Sequence, residues 1–160
     1  AGSGKLHSEA SNLQSPYDLA KRQSGRPLLV FFEQKNCPPC DELHNDVLAQ
    51  PESQALIAQF DVLLLDTWSK TPLITPDGQK MTAEEWGRSL NLTYVPTMLF
   101  FDASGLEVFR TEGWLRTFHV QSSMEYVLNN AYLHEKEFQR FVEERASKLR
   151  EQGIEVDLLK

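Results

Sequence analysis

Residues 31–44 read Phe-Phe-Glu-Gln-Lys-Asn-Cys-Pro-Pro-Cys-Asp-Glu-Leu-His and hold Cys37 and Cys40, the two cysteines of the chain. The run 28–33 is apolar up to its last residue and rich in β-formers, which predicts a strand directly before the cysteines. After them, apolar residues recur at helical spacing, at Leu43, Val47 and Leu48. The stretch therefore predicts a strand, a short loop and a helix, with Cys37 at the helix N-cap.

The residues between the cysteines fit the start of a helix. Pro38 and Pro39 suit the first turn, where backbone amides have no intrahelical partner to lose. Two thiols one turn apart can form a disulfide with little movement of the backbone. We expect the Cys37 sulfur to face solvent, where the helix N-terminus favours its thiolate form, and the Cys40 sulfur to face the fold. The pattern favours a dithiol–disulfide switch.

Other uses of the two cysteines predict different partners. A structural disulfide across so short a loop gains little stability, and secreted disulfide scaffolds usually carry more cysteines. Half of a zinc site with His44 would need further ligands, and the other histidines are scattered along the chain, at His7, His119 and His134. Haem attachment requires a histidine directly after the second cysteine, where Asp41 stands. We interpret His44 as a solvated helix residue.

Length and charge limit the classes of partner. With 160 residues, the chain can form one domain with a single core. Its net charge of −7 argues against nucleic acid or an anionic membrane surface, since both favour basic patches. No apolar run approaches the roughly 20 residues of a membrane-spanning helix. The chain begins Ala-Gly-Ser-Gly without Met, and we expect that a secretory signal peptide has been removed.

The first half of the chain predicts an alternation of helices and buried strands. Residues 1–14 are small and polar and predict a flexible arm. Ser15-Pro16 reads as an N-cap with a first-turn proline, opening a short helix through about Arg22. A further short helix follows over 52–60, and 62–66 reads as a second wholly apolar strand. Two such strands around a helix imply a βαβ unit with a parallel core.

The second half predicts an excursion, a hairpin and long helices. Turn residues in 67–81 predict an insertion containing a small hairpin. Thr82 and Glu85 form the capping-box pattern for a helix through about Leu90. Runs at 97–101 and 107–110, joined by turn residues, predict a second hairpin. We expect helices over about 117–152, with the single domain spanning 15–153 and a tail over 154–160.

This order of elements resembles the thioredoxin superfamily. Two motifs carry the resemblance, Cys37-Pro38-Pro39-Cys40 and Val95-Pro96-Thr97 just before a strand, and it covers about residues 15–132. It implies an α/β fold whose central mixed sheet has about four to five strands flanked by helices. The helices after residue 132 would extend that fold at its C-terminal end.

A closer resemblance is to the periplasmic thioredoxin-like proteins encoded with bacterial sulfur-oxidation (Sox) genes. It rests on Phe31-Phe32-Glu33-Gln34, on the strand 61–68, on Thr75-Pro76-Asp77-Gly78 and on Leu99-Phe100-Phe101-Asp102. This resemblance implies a periplasmic location.

The superfamily resemblance also implies roles for individual residues. Cys37 would be the attacking thiol and Cys40 the resolving one. Pro96 would be a cis proline beside the disulfide, and the backbone of Val95 would pair with the substrate chain. Gly113 falls where thioredoxins keep a glycine in the substrate groove. A proline suits such a place because it has no N–H to offer a sulfur; the alternative from the residues alone is an ordinary proline at a strand entry.

Three positions depart from the family pattern. Phe31 stands where thioredoxins usually carry a buried aspartate, and Val62 stands near the place of the lysine that pairs with it. Asn36 replaces the usual tryptophan before the first cysteine. Glu33 has the same strand parity as Phe31, so its side chain points to the same sheet face. We hypothesise that Glu33 assists proton transfer to or from Cys40; the alternative is a solvated glutamate at a strand end.

These expectations combine into a thiol–disulfide oxidoreductase, a reductase of protein disulfides outside the cytosol. It would use Cys37 and Cys40 without metal or organic cofactor, and it would receive electrons from a membrane-bound or soluble dithiol protein. We expect a monomer that neither inserts into membranes nor binds nucleic acid. The alternative is a non-catalytic thioredoxin-fold binder or copper-delivery protein with the cysteines as soft ligands, for which Met98 is the nearest additional donor.

Overall fold

The computed structural model of the protein describes residues 4–113 and 115–160. Its strands and helices, in chain order, are β1 (Tyr17–Asp18), β2 (Leu28–Glu33), α1 (Pro38–Glu42), α2 (Pro51–Ile57), β3 (Asp61–Asp66), β4 (Pro72–Ile74), β5 (Lys80–Thr82), α3 (Ala83–Ser89), β6 (Thr97–Phe101), β7 (Glu107–Glu112), α4 (Thr117–Leu128) and α5 (Phe138–Glu151). The helix that begins as α1 continues as a π-helical segment over Leu43–Val47. Short 3₁₀ turns lie at Ser8–Ala10 and Ala131–Leu133.

A four-stranded mixed sheet forms the centre of the molecule, in the order β3-β2-β6-β7. Strand β2 runs parallel to β3 and antiparallel to β6, and β6 runs antiparallel to β7. The parallel β2–β3 pair is the predicted βαβ unit, and the β6–β7 pair is the predicted hairpin. The α/β class and the central mixed sheet expected from the sequence are confirmed.

Each face of this sheet packs against helices, because the strands alternate their side chains between two apolar layers. Leu29 and Phe31 point to the layer that contains Leu43 and Val47 of the cysteine helix and the inner side of α4. Leu28, Val30 and Phe32 point to the opposite layer, which Trp86 of α3 and Leu73 of β4 complete. Strand β2 is buried at every position, as its continuous apolar sequence predicts.

The predicted excursion forms a second, three-stranded sheet with the order β1-β4-β5. Strands β4 and β5 make the predicted small hairpin, and α3 follows it directly with the predicted capping box of Thr82 and Glu85. The helix predicted from Ser15-Pro16 is wrong. Tyr17 and Asp18 instead pair in parallel with Leu73 and Ile74, and the Asp18 carboxylate then accepts the backbone amides of Ala20 and Lys21 in a turn. The strand pairing and this turn satisfy backbone groups that the helix would have used.

The flexible arm predicted over residues 1–14 is wrong for residues 6–13, while residues 1–3 lie outside the described part of the chain. Leu6 and Ala10 pack against the apolar layer that contains Phe31. The Asn12 side chain accepts the amide of Val62 at 2.7 Å and donates to the carbonyl of Phe60 at 3.0 Å. These contacts occupy the free edge of β3, which is why a polar segment without periodicity takes a fixed course. We call residues 4–13 the N-terminal strap.

The C-terminal helices extend the domain as predicted. Helix α5 packs on α4 through Val142, Ala146 and Phe118. Gly153 ends α5 in the left-handed conformation, with the amide of Ile154 returning to the carbonyl of Leu149. The tail 154–160 then turns back, with Val156 and Leu158 packed on the same cluster. Among residues 4–113 and 115–160, no helix has both the length and the apolar character that a bilayer crossing requires.

Candidate active site

A disulfide joins Cys37 and Cys40 at the start of the helix that follows β2. Cys37 is the N-cap of α1, and its sulfur accepts the backbone amide of Cys40 at 3.2 Å. Pro38 and Pro39 occupy the first turn, and the amide of Asp41 bonds the carbonyl of Cys37 at 3.0 Å. The predicted strand, loop and helix are confirmed, with Cys37 at the predicted N-cap.

Both cysteines are more enclosed than the sequence predicts. Cys37 is 4% exposed and Cys40 1% exposed, so the expected solvent-facing sulfur at Cys37 is wrong for the disulfide form. Gly4 of the strap lies close to the Asn36 side chain, in the residue before Cys37. Cys37 remains the more accessible of the two.

The residues predicted to contact substrate lie at the edge of the sheet where the cysteine loop begins. Thr97 pairs with Phe32 in the β2–β6 register, so Pro96 stands at the end of the sheet from which the loop leads to Cys37. The Val95–Pro96 peptide bond is cis. Gly113 has a φ of 82° and donates its amide to the carbonyl of Pro96 at 3.0 Å. The fold thus joins Pro96 and Gly113 directly, although they are 17 positions apart in the sequence.

Glu33 lies at the carboxyl end of β2, on the sheet face that packs against the cysteine helix. It is 0% exposed, so the alternative of a solvated strand-end glutamate is wrong. Its Oε2 bonds Nε2 of His44 at 2.5 Å, and its Oε1 is buried without a hydrogen-bond partner among the described residues. A buried carboxylate with one open acceptor can take up a proton from a nearby donor.

His44 is a functional candidate that the sequence interpretation missed. We expected a solvated side chain, but it is 7% exposed and bonded to Glu33. It also stacks on the ring of His7 from the strap, with ring centroids 4.4 Å apart and planes at 9°. The four-residue spacing from Cys40, which puts the two side chains on one side of the helix, suggests half of a zinc site but does not reveal the bond to Glu33. No signal in the sequence could place His7, because its contact with His44 spans 37 positions.

Two exposed aromatic residues flank this end of the sheet. Trp68 follows β3 and is 66% exposed, with its indole N–H donating to Gln34 at 3.0 Å. Tyr94 directly precedes Val95 and is 62% exposed. Gln34 follows Glu33, so the tryptophan is tied to the loop that carries the cysteines.

Within the described ranges, no group of three or more His, Cys, Asp or Glu side chains has the geometry to hold a metal ion. The Nε2 atoms of His7 and His44 are each bonded to a carboxylate. Met98, the additional donor that the copper-delivery alternative would use, is fully buried in the apolar layer with Phe31.

Comparison with known sequence families finds a likeness that extends well beyond the cysteine motif. The family model for the thioredoxin-like domain matches residues 18–128, from the last residue of β1 to the end of α4. The chain belongs to the thioredoxin-like family. The family match ends at the last residue of α4, so α5 and the tail add to this thioredoxin-like domain. The sequence has no match among curated proteins.

Solved structures share the fold of this thioredoxin-like protein. A thioredoxin-fold protein from Helicobacter pylori superposes with a TM-score of 0.68 at 14% identity, covering 77% of this chain and 86% of the other. A thioredoxin from Thermus thermophilus superposes with a TM-score of 0.54 at 23% identity, covering 69% and 81%. The predicted thioredoxin fold is confirmed.

Proposed function

We propose that this thioredoxin-like protein is a thiol–disulfide oxidoreductase that reduces protein disulfides outside the cytosol. The observation that carries the proposal is the Cys37–Cys40 disulfide at the start of a helix that packs on the same sheet face as a buried glutamate with one open carboxylate oxygen. A disulfide that only braced the fold would not require an unsatisfied buried acid under the same helix, which costs stability.

The reaction requires the reduced form of the pair. The Cys37 thiolate attacks one sulfur of the substrate disulfide, forming a mixed disulfide and releasing the other substrate sulfur as a thiolate. The Cys40 sulfur then attacks Cys37, which forms the intramolecular disulfide and releases the second substrate sulfur. One pair of electrons passes from the two cysteines to the substrate, and the released thiolates take up protons. No metal or organic cofactor takes part.

Glu33 supplies the proton acceptor for the second step. Cys40 is 1% exposed, so the proton that its thiol must lose before it attacks needs an acceptor inside the protein. The open oxygen of Glu33 is an acceptor on the same side of the sheet as the cysteine helix. We assign to Glu33 the uptake of the Cys40 proton.

The substrate is a polypeptide that lies across Val95, Pro96 and Gly113. The carbonyl of Pro96 accepts the amide of Gly113. The backbone of half-buried Val95 then remains to pair with an extended substrate chain. A side chain at Gly113 would need a conformation that favours glycine, although the space around it is open. The exposed rings of Tyr94 and Trp68 favour a substrate that carries an apolar or aromatic residue near its reactive cysteine.

The cellular location that we propose follows from the closer family resemblance. A periplasmic location, with the function of the thioredoxin-like proteins of Sox gene clusters, fits the motifs around Glu33 and Asp77. Electrons would come from a membrane-bound or soluble dithiol protein. The protein would act as a monomer, without inserting into a membrane and without nucleic acid.

Turnover of a protein disulfide tests the activity. With dithiothreitol as electron source, the wild-type protein should accelerate the reduction of insulin disulfides. The Cys37→Ser variant should give only the rate of dithiothreitol alone, because the attacking sulfur is absent. An equal acceleration by wild-type and Cys37→Ser proteins would contradict the proposed function.

A further inference from the structure

Two histidines and two carboxylates form a cluster against the cysteine helix. His7 comes from the N-terminal strap and His44 from the π-helical segment, and their rings stack in parallel, 4.4 Å apart. Their side chains are 11% and 7% exposed. The Phe31 ring lies 5.3 Å from His44 and covers it from the sheet. The stack therefore lies inside the protein, between the sheet, the helix and the strap.

Each imidazole is tied to its own carboxylate. Nε2 of His44 bonds Oε2 of Glu33 at 2.5 Å, and Nε2 of His7 bonds Oδ1 of Asp41 at 2.6 Å. Glu9 adds a third carboxylate, 3.6 Å from Nδ1 of His7, but its side chain is 75% exposed. Each of these two hydrogen bonds joins an imidazole to a carboxylate, so the polar atoms that make them are satisfied within the protein interior.

Two residues of the cluster lie close to the resolving cysteine, Cys40, along the helix. Asp41 is the residue after Cys40, and His44 is four residues after it, the spacing at which helical side chains share a face. The Glu33 oxygen that does not bind His44 is the buried atom without a partner. His44 thus fixes one oxygen of the carboxylate and leaves the other as an open acceptor, in a side chain on the sheet face that packs against the cysteine helix.

We propose that His44 is a positioning residue for Glu33, and that His7, held by Asp41, keeps His44 in place by stacking. This inference rests on the proposed oxidoreductase function and concerns its second step. Oε1 of Glu33 takes the proton of the Cys40 thiol while Oε2 keeps the bond from His44. The Cys40 sulfur forms its bond to Cys37 as the Cys37–substrate bond breaks. The electron pair leaves on the substrate sulfur, which takes a proton from solvent.

The strap is therefore part of the redox site, because its His7 stacks on the ring of His44. A purely structural stack would hold the strap on the domain and affect stability alone. A stack that positions Glu33 also sets the rate at which Cys40 resolves the mixed disulfide, and the dependence of that rate on pH.

Rapid mixing of the reduced protein with dithiobis(nitrobenzoate) separates the two steps. Attack by Cys37 releases a first thionitrobenzoate, and attack by Cys40 on the resulting mixed disulfide releases a second. His44→Gln should slow the second release by about tenfold or more and alter its pH profile between about pH 6 and pH 9. The first release should change by less than about twofold, because Cys37 needs no help from the cluster to attack.

The exposed His134 provides the matched control. His134→Gln makes the same chemical change away from the cluster, and both releases should keep the wild-type rates. His7→Gln leaves the His44–Glu33 bond in place, and it replaces the first variant if His44→Gln does not fold. It should slow the second release by a smaller factor than His44→Gln.

The outcomes separate this inference from the function on which it rests. A second release with unchanged rate and pH profile in the folded histidine variant would overturn the positioning role, even if the variant had lost thermal stability. A wild-type protein that gives no first release would contradict the oxidoreductase function itself.

Discussion

Glu33 ends a strand whose earlier positions are all apolar, and its carboxylate is fully buried. Its burial follows from the register of β2, because Glu33 pairs with Asp66 on β3 and shares a face with Phe31. A carboxylate in such a place is costly unless each oxygen is bonded, and one is not. The position is therefore poor for stability and suited to proton transfer.

Replacing the Glu33 carboxylate by an amide should separate its effect on proton transfer from its effect on stability. Glu33→Gln should slow the release of substrate from the mixed disulfide by about 100-fold, within the range of general acid–base contributions, because an amide cannot take the Cys40 proton. The fold should persist, since the amide can still bond His44. Rates of the second thionitrobenzoate release, taken with melting temperatures, check both points. Unchanged rates across about pH 6 to pH 9 would leave Glu33 without a role in the reaction.

The two cysteines should differ when each is replaced singly. Cys40→Ser should accumulate a mixed disulfide between Cys37 and the substrate, because the resolving sulfur is missing. Cys37→Ser should accumulate none, because the remaining thiol is at the more buried position. Non-reducing electrophoresis and mass measurement of each variant after mixing with oxidised insulin detect the adduct. An adduct on Cys40 in place of Cys37 would reverse the assignment.

Sequence alone could predict the residues whose roles follow from local spacing. Cys37 as the N-cap and the capping box of Thr82 and Glu85 are such cases, since each involves residues three apart. It could not predict His7 against His44 or the burial of both rings. Those contacts depend on where the strap meets the helix, which no local pattern specifies.

At the scale of elements, the N-terminal strap covers the free edge of β3. Backbone amides of Asn12 and Leu13 both bond the carbonyl of Val62, and the Ser11 hydroxyl accepts the amide of Leu64 at 2.7 Å. An uncovered edge strand offers unpaired backbone groups to other chains. The strap satisfies those groups and carries His7 to the cysteine helix.

The Asn12 side chain gives a direct test of this covering. Asn12→Ala removes both of its bonds to the β3 edge and should lower the free energy of unfolding by about 1–3 kcal/mol. Asn12→Asp keeps the acceptor for the Val62 amide and should lose less. Urea unfolding of the three proteins measures the differences. Equal stability of wild-type and Asn12→Ala proteins would mean that the two side-chain bonds of Asn12 add nothing to the stability of the fold.

The strands and helices were predictable where a long pattern repeats, and not where two signals compete. Strands β2 and β6 begin and end at the residues that their sequence runs predict, 28–33 and 97–101. Ser15-Pro16 resembles a helix start, but Tyr17 and Asp18 gain backbone bonds by pairing with β4. That pairing partner lies more than 50 residues away, beyond the reach of any local pattern.

At the scale of the whole molecule, the charges around the disulfide indicate the direction of electron flow. A strong oxidant stabilises the thiolate of its attacking cysteine heavily, so that its disulfide accepts electrons readily. Here Pro38 and Pro39 offer no amide to Cys37, while the Cys40 amide does donate to its sulfur. Glu42 places negative charge in the same helix, the Asp41 carboxylate there bonds His7, and Lys35 is exposed on the loop before them. This balance favours a reductant.

The reduction potential of the Cys37–Cys40 pair tests the reductase assignment most directly. Equilibration against glutathione and against dithiothreitol, with the fraction of disulfide measured after acid quenching and alkylation, gives that potential. The account predicts a value of about −220 to −280 mV, in the range of glutaredoxins and thioredoxin. A potential near about −120 mV, the value of a strong oxidant, would contradict it and make the protein a donor of disulfides.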